Sequence, residues 1–442
     1  MKITGNLIHL LAMLLLPLAF GPFAHQSYAT NSSEILFSLP DREVTTAEFI
    51  RFLEKEDTAY NPDHFDALLQ NFIDYHLKLA YGRQQKLDRS IEFVNELTDY
   101  RISLAKPYLT HQEKRDFYIQ QAYERLKYEI NADHILIKME KKDVSPKDTI
   151  LFYKQAISVR DQYLHRKNSK ETHQTGDTMK KYSFKNLGYF SAFQSEYKFE
   201  NVVYQLEKGE ISMPVRTELG FHIIRLRDKR SVGNLPPLSF LEDKIFESIE
   251  KADDERIQAI NHAFTEQLKK YWKFKDNPNV INNYKEQLTN HAFTKDISLP
   301  LPDNPYDTLC FIDNKHLTIN DLWKYMDDVR EEEKPEILRQ PLEYQVDYFY
   351  ARFVAHRLYL YENYMLPQKY PEFKTRLEEY RDAMLLLAAT QKKIWNILDK
   401  KDDETTHEEL MEAWVHDLRG QIPVELNSEN MMRLKEEWIS TK

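Results

Sequence analysis

Apolar residues recur at spacings of three and four through residues 45–130. One stripe is Phe49, Phe52 and Leu53. A second runs Phe65, Leu68, Leu69, Phe72, Ile73, Tyr75, His76 and Leu79, and a third Phe93, Leu97, Tyr100 and Leu104. That period is helical, and Thr45 or Thr46 with Glu48 close behind predicts a capped start for the first helix. Residues 131–231 break the period. Short β-rich runs at His134–Ile137, Leu187–Phe190 and Gly220–Leu226 alternate with helical runs near 146–168 and 199–207, which predicts a compact α+β domain. Asn234-Leu235-Pro236-Pro237 closes it as a stiff linker. The expected fold class is therefore α+β, with a small mixed domain at 131–231 flanked by mainly helical modules at 31–130 and 238–442.

The two flanks echo each other. Glu92, Phe93, Leu97, Tyr100 and Arg101 recur as Glu372, Phe373, Leu377, Tyr380 and Arg381, an offset of 280. Upstream, Val44-Thr45-Thr46-Ala47-Glu48-Phe49 is matched by Leu317-Thr318-Ile319-Asn320-Asp321-Leu322, an offset of 273. Two matched pairs in the same order predict that the C-terminal region repeats the N-terminal module. Chance similarity of amphipathic helices is the competing reading.

Composition narrows the function. The chain of 442 residues carries 61 basic and 71 acidic side chains, a net charge of −10, which argues against a nucleic-acid partner because phosphate binding draws on clustered positive charge. Only 9 glycines are present, so a Gly-rich phosphate cradle is not expected. The apolar run Leu7–Phe20 after Lys2, followed by Ser27-Tyr28-Ala29, reads as a signal peptide over 1–29, cleaved after Ala29. A membrane anchor is the alternative, but the run is short for a span and Pro17 and Pro22 interrupt it. No later stretch suggests stable membrane insertion. The single cysteine, Cys310, sits among Leu309, Phe311 and Ile312 and reads as a buried small hydrophobe. The 27 Tyr, 24 Phe and 5 Trp, dense around Tyr344, Tyr348, Phe349, Tyr350, Phe353, Tyr359 and Tyr361, fit either exposed aromatic grooves or ordinary core packing.

The chemistry concentrates in the middle domain. It begins His134-Ile135-Leu136-Ile137, continues through Leu187-Gly188-Tyr189-Phe190 and Phe199-Glu200, and ends Gly209-Glu210-Ile211-Ser212-Met213-Pro214-Val215-Arg216-Thr217-Glu218-Leu219-Gly220-Phe221-His222-Ile223-Ile224. This stretch resembles the parvulin family of peptidyl-prolyl cis/trans isomerases. With the leader and helical flanks, the whole resembles SurA-type envelope chaperones of Gram-negative bacteria. The resemblance implies prolyl isomerisation without metal or cofactor. It places His134 and His222 as paired histidines on adjacent strands, Thr217 as the hydroxyl joining them, and Asp177 beside the substrate carbonyl. Leu187, Ser195 and Phe199 would line the proline pocket. Ser195 stands where many parvulins have Met, and Lys185-Asn186 where Gly-Asp is common, which leaves open a domain that binds without turnover. The implied partners are unfolded or partly folded exported proteins, outer-membrane proteins among them, and the implied location is the periplasm.

Overall fold

The computed structural model describes residues 34–55, 64–139, 146–168, 182–289, 300–330, 332–333, 335–338, 340–398 and 406–440. The leader expected at 1–29 and the candidate Asp177 lie outside these residues. From the N-terminus, strands β1 (Ile35–Leu39) and β2 (Arg42–Thr45) precede helices α1 (Thr46–Lys55), α2 (Phe65–Gln84), α3 (Ile91–Ala105) and α4 (Gln112–Leu126). The mixed domain follows as β3 (Tyr128–Lys138), α5 (Pro146–Asn168), β4 (Ser183–Phe190), α6 (Tyr197–Val203), β5 (Val215–Thr217) and β6 (Gly220–Ser231). Next come α7 (Leu238–Ala252), α8 (Glu255–Tyr271), β7 (Lys275–Asp276), α9 (Pro278–Thr289), β8 (Thr308–Ile312), β9 (Lys315–Thr318), α10 (Ile319–Arg330) and α11 (Leu342–Lys369). The chain closes with α12 (Pro371–Thr390), α13 (His407–Gln421), β10 (Glu425–Leu426) and α14 (Ser428–Ser440). Helices predominate outside the middle domain, as the sequence pattern requires. Two small three-stranded sheets that the pattern did not reveal lie outside the middle domain, one of them joining strands from both flanks.

The described residues group into two compact units, those up to 105 with those from 366 onward, and those between 106 and 365. In the first, β1 pairs with β2 and also with the distant two-residue strand β10. Phe37, Phe49, Phe65, Phe72, Trp414 and Trp438 form its aromatic core, each burial removing apolar area worth roughly 2–3 kcal/mol from water. Helices α3 and α12 pack through the residues that echo each other in sequence. The Tyr100 and Tyr380 rings stack 3.7 Å apart at 4°, and the Tyr380 hydroxyl donates to Glu96 at 3.2 Å.

The helical part of the second unit carries a hairpin of the same construction. In β1–β2, Ile35 faces Thr45 and Phe37 faces Val44 across a register shift. In β8–β9, Thr308 faces Thr318 and Cys310 faces Leu317 across the same shift. Both hairpins end in the same cap. The Thr45 N–H and hydroxyl donate to the Glu48 carboxylate at 2.9 and 3.0 Å, and those of Thr318 donate to Asp321 at 2.8 and 2.8 Å. Caps of this kind contribute about 1 kcal/mol each. The third strand is β10 in one unit and β7 in the other, pairing with Phe37 and Cys310 respectively. The closing elements thus follow the first hairpin by nearly the whole chain but precede the second.

The aromatic cluster near 344–361 divides between both expected fates. Phe349 and Phe353 are core, whereas Tyr344 and Tyr359 are exposed. Cys310 is buried, and burial pushes its thiol up to about 12. No described helix is long and apolar enough to cross a membrane.

The mixed domain is an antiparallel sheet of order β4-β3-β6-β5. Its strands at 134–137, 187–190 and 220–226 lie where the pattern predicts. Successive residues of β3 and β6 point to opposite faces, and both faces are covered. Ile130, Ala132, Ile224 and Leu226 pack against Phe199 and Val203 of α6, while Ile135, Ile137, Phe221 and Ile223 pack against α5 through Ala156.

Candidate active site

The site is built on the α6 face of β3 and β6. Their antiparallel register sets His134 opposite Ile224 and Leu136 opposite His222. The two histidines are therefore diagonal neighbours on one face, within reach of long side chains. Their Nδ1 atoms approach to 2.9 Å, with ring centres 5.1 Å apart and planes 20° from parallel. At that distance one Nδ1 donates and the other accepts, so only one of the two Nδ1 atoms carries a proton. Burial pushes His222 down to about 4, reinforced by His134. Burial, with Lys185 opposite on β4, lowers His134 as well. Both imidazoles are neutral near pH 7.

Thr217 completes the array from the edge strand. Its Oγ1 lies 2.8 Å from His222 Nε2 and accepts the Leu219 N–H at 3.2 Å. The hydroxyl reaches back because β5 and β6 are joined by the two residues Glu218 and Leu219. That turn depends on Gly220. Its φ is +138°, and a Cβ there would stand 2.2 Å from the Ile137 carbonyl oxygen. The Thr-x-x-Gly-x-His spacing thus has a steric reason.

Phe199 on α6 closes the array from above, its ring edge-on to His134 at 5.8 Å and to His222 at 5.4 Å. Leu187 packs into the same apolar cluster. Ser195 lies in the loop entering α6, with its Oγ buried and without a hydrogen-bond partner. Of the seven candidates, His134, His222, Thr217, Phe199 and Leu187 converge. Ser195 makes no hydrogen bond to the imidazoles, and Asp177 is not among the described residues. Among those residues no cluster of three His, Cys, Asp or Glu side chains could hold a metal ion.

Three supports escaped the sequence reading. Buried Glu200, next to Phe199, accepts Arg125 Nη1 at 2.9 Å and the Phe193 N–H at 2.8 Å, which anchors α6 to α4. Buried Asp133, next to His134, accepts Asn186 Nδ2 at 2.7 Å across to β4. Ser212 Oγ accepts the Ile224 N–H at 2.9 Å, beside the histidine pair. An acid inside the apolar face of a short helix was the one visible signal for the first. Asp133 and Ser212 sit in strand-like runs that carry none.

Residues 134–228 match the family model of the PPIC-type PPIase, or rotamase, domain. The middle of this chain is a parvulin-type domain. Foldase protein PrsA 3 of Bacillus cereus is 30% identical over 142 residues, covering 32% of this chain and 44% of that protein. Foldase protein PrsA 2 of the same organism is 26% identical over 221 residues, covering 49% of this chain and 62% of that protein. The chain therefore spans less than two thirds of either relative. A solved structure from Campylobacter jejuni, described as one of two structurally related SurA-like chaperones, aligns over 54% of this chain and 98% of its own at 18% identity, with a TM-score of 0.16. The match to the parvulin domain begins at the first histidine of the array and runs past the second.

Proposed function

We propose that the parvulin-type domain isomerises X–Pro bonds in unfolded or partly folded exported proteins, and that the helical modules hold those chains. The observation that supports this best is the array of His134, His222 and Thr217 beneath Phe199, lying inside the segment that matches the rotamase family. An X–Pro bond crosses a barrier of about 18–20 kcal/mol over tens to hundreds of seconds. The transition state is a twisted amide without resonance, and no bond is made or broken. A thousandfold acceleration requires about 4 kcal/mol of preferential binding of that twisted form.

Neutral, mutually hydrogen-bonded imidazoles suit this task. They give the floor fixed dipoles without a full charge that water would have to solvate. Phe199 and Leu187 would hold the pyrrolidine ring, and Thr217 would fix the tautomer of His222. Asp177 would lie near the substrate carbonyl. The reaction draws on no metal or cofactor. Export by a leader over 1–29 would place the protein in the periplasm, with outer-membrane proteins among its clients, and without nucleic-acid or membrane insertion.

A second reading, a chaperone whose domain binds prolines without turnover, is favoured by the unpartnered Ser195 Oγ, since a bare hydroxyl weakens an apolar wall. A protease-coupled prolyl-peptide assay on the intact chain separates the two. Faster cis/trans relaxation supports the isomerase, whereas relaxation at the uncatalysed rate with retained suppression of client aggregation supports the second reading.

A further inference from the structure

In the first unit the outer face of α2 is covered by the chain's own helix α12. Leu79 is fully buried there with Met384 and Leu385. Leu385 sits so close to Gly82 that a Cβ on the glycine would stand 2.7 Å from Leu385 Cδ1. Asp382 faces Arg42 at 4.0 Å. The second unit carries the counterpart surface. On the hairpin the correspondence is the offset of 273 set by the strand registers. On α11 the offset is 281: Asp66 takes Lys435 and Asp347 takes Lys285, and buried Phe65, Phe72, Ile73 and Leu77 fall on buried Val346, Phe353, Val354 and Leu358.

By this correspondence Lys315 stands for Arg42, Leu360 for Leu79, Arg357 for His76 and Tyr364 for Arg83. Among the described residues this face is left open. Leu360 is 42% exposed where Leu79 is 0%, and Tyr364 is 63% exposed. A cavity of about 210 Å³ opens among Ile312, Lys315, Leu317, Arg357, Leu360 and Tyr361. The Lys315 ammonium lies 5.1 Å from the ring centres of both Tyr361 and Tyr364. The Arg357 Nε is buried without an acceptor.

We propose that this groove docks an amphipathic helix of a partner protein, carrying a carboxylate three residues ahead of a small apolar side chain, at the positions of Asp382 and Leu385. The apolar side chain covers Leu360 and Tyr364, and the carboxylate meets Lys315 as Asp382 faces Arg42. Asn363 replaces Gly82, so the docked helix presents a small residue where Leu385 sits in the first unit. The chain supplies both the template for the occupant and the complementary charge. The proposal does not depend on prolyl isomerase activity.

The test is fluorescence anisotropy of the intact protein with a labelled, helix-stapled peptide of residues 371–390 carrying Leu385→Ala. Saturable binding is expected, weakened at least tenfold by Leu360→Asp and by Lys315→Glu. A peptide with Asp382→Lys binds the wild type poorly and regains affinity for the Lys315→Glu protein. Both protein positions are exposed, and unfolding midpoints confirm that the variants fold. Absence of saturable binding, or binding indifferent to both substitutions, overturns the proposal. So does a dimer of the free chain dispersed by Leu360→Asp, which assigns the groove to a second copy.

Discussion

The Nδ1 atoms of His134 and His222 lie 2.9 Å apart, so a single proton serves both. A second proton on the accepting Nδ1 would set two N–H groups against each other, and protonating either ring puts a charge where burial disfavours it. This pair sets the electrostatic character of the domain and its response to pH.

Acid sensitivity follows from the sign of the shift. His222 binds its proton near 6.5 when unfolded but only near about 4 when folded. Between these values the unfolded chain holds more protons, so the stabilisation is complete above 6.5 and is lost as pH falls towards about 4. The protection factors of the β6 amides, corrected for the intrinsic slowing of exchange in acid, should therefore fall between pH 7 and 4.5, and fall less in His222→Phe. An equal fall in both proteins would remove the histidine from the explanation.

Glu200 supplies a prediction about domain limits. Its partner Arg125 lies outside residues 134–228, on α4. Removing one member of a buried ion pair costs roughly 3–5 kcal/mol, whereas replacing both with apolar residues costs far less. Arg125→Met should lower the urea midpoint of the domain steeply, and adding Glu200→Leu should recover most of it. A shortened chain beginning at residue 131 should behave like Arg125→Met. A shortened chain as stable as one beginning at 106 would contradict this.

Gly220→Ala should disable the domain. The new Cβ meets the Ile137 carbonyl oxygen, and the φ of +138° is strained for any L side chain; together these cost about 3 kcal/mol. Circular dichroism and the Thr217–His222 contact, read by NMR, should both change. A native-like spectrum would show that β5 can shift without loss of the array.

Gly82→Ala pits two effects against each other. Alanine in mid-helix gains about 1 kcal/mol, while overpacking against buried Leu385 costs about 1–3 kcal/mol. The balance should be destabilising for the first unit, and Leu385→Ala should reverse its sign in a double-mutant cycle. Additive effects would mean that α12 does not press on α2.

The histidine face was legible because its elements are local. Thr217, Gly220 and His222 sit within six residues on one hairpin, and the strand at His134 announces itself by its own apolar run. The likeness of the two hairpins was legible where capping chemistry is strict, at Thr45 with Glu48 and at Thr318 with Asp321. It faded where backbone pairing alone decides structure. Strands β7 and β10 are two residues each and carry no side-chain pattern. That β10 returns to β1 across nearly the whole chain is a tertiary choice, set by the burial of Phe37, Trp414 and Trp438 together. Arg125 looked like one more charge on a helix because its partner is 75 residues away.

The most direct measurement is the cis/trans exchange rate of a prolyl peptide, read by NMR exchange spectroscopy with the intact protein and with its His222→Phe and Phe199→Ala variants. The account predicts exchange well above the free-peptide rate with the wild type and a fall of at least tenfold in both variants, with peptide signals from the proline ring perturbed by the wild type alone. Exchange at the free-peptide rate with the wild type, or acceleration that survives both substitutions, would contradict it.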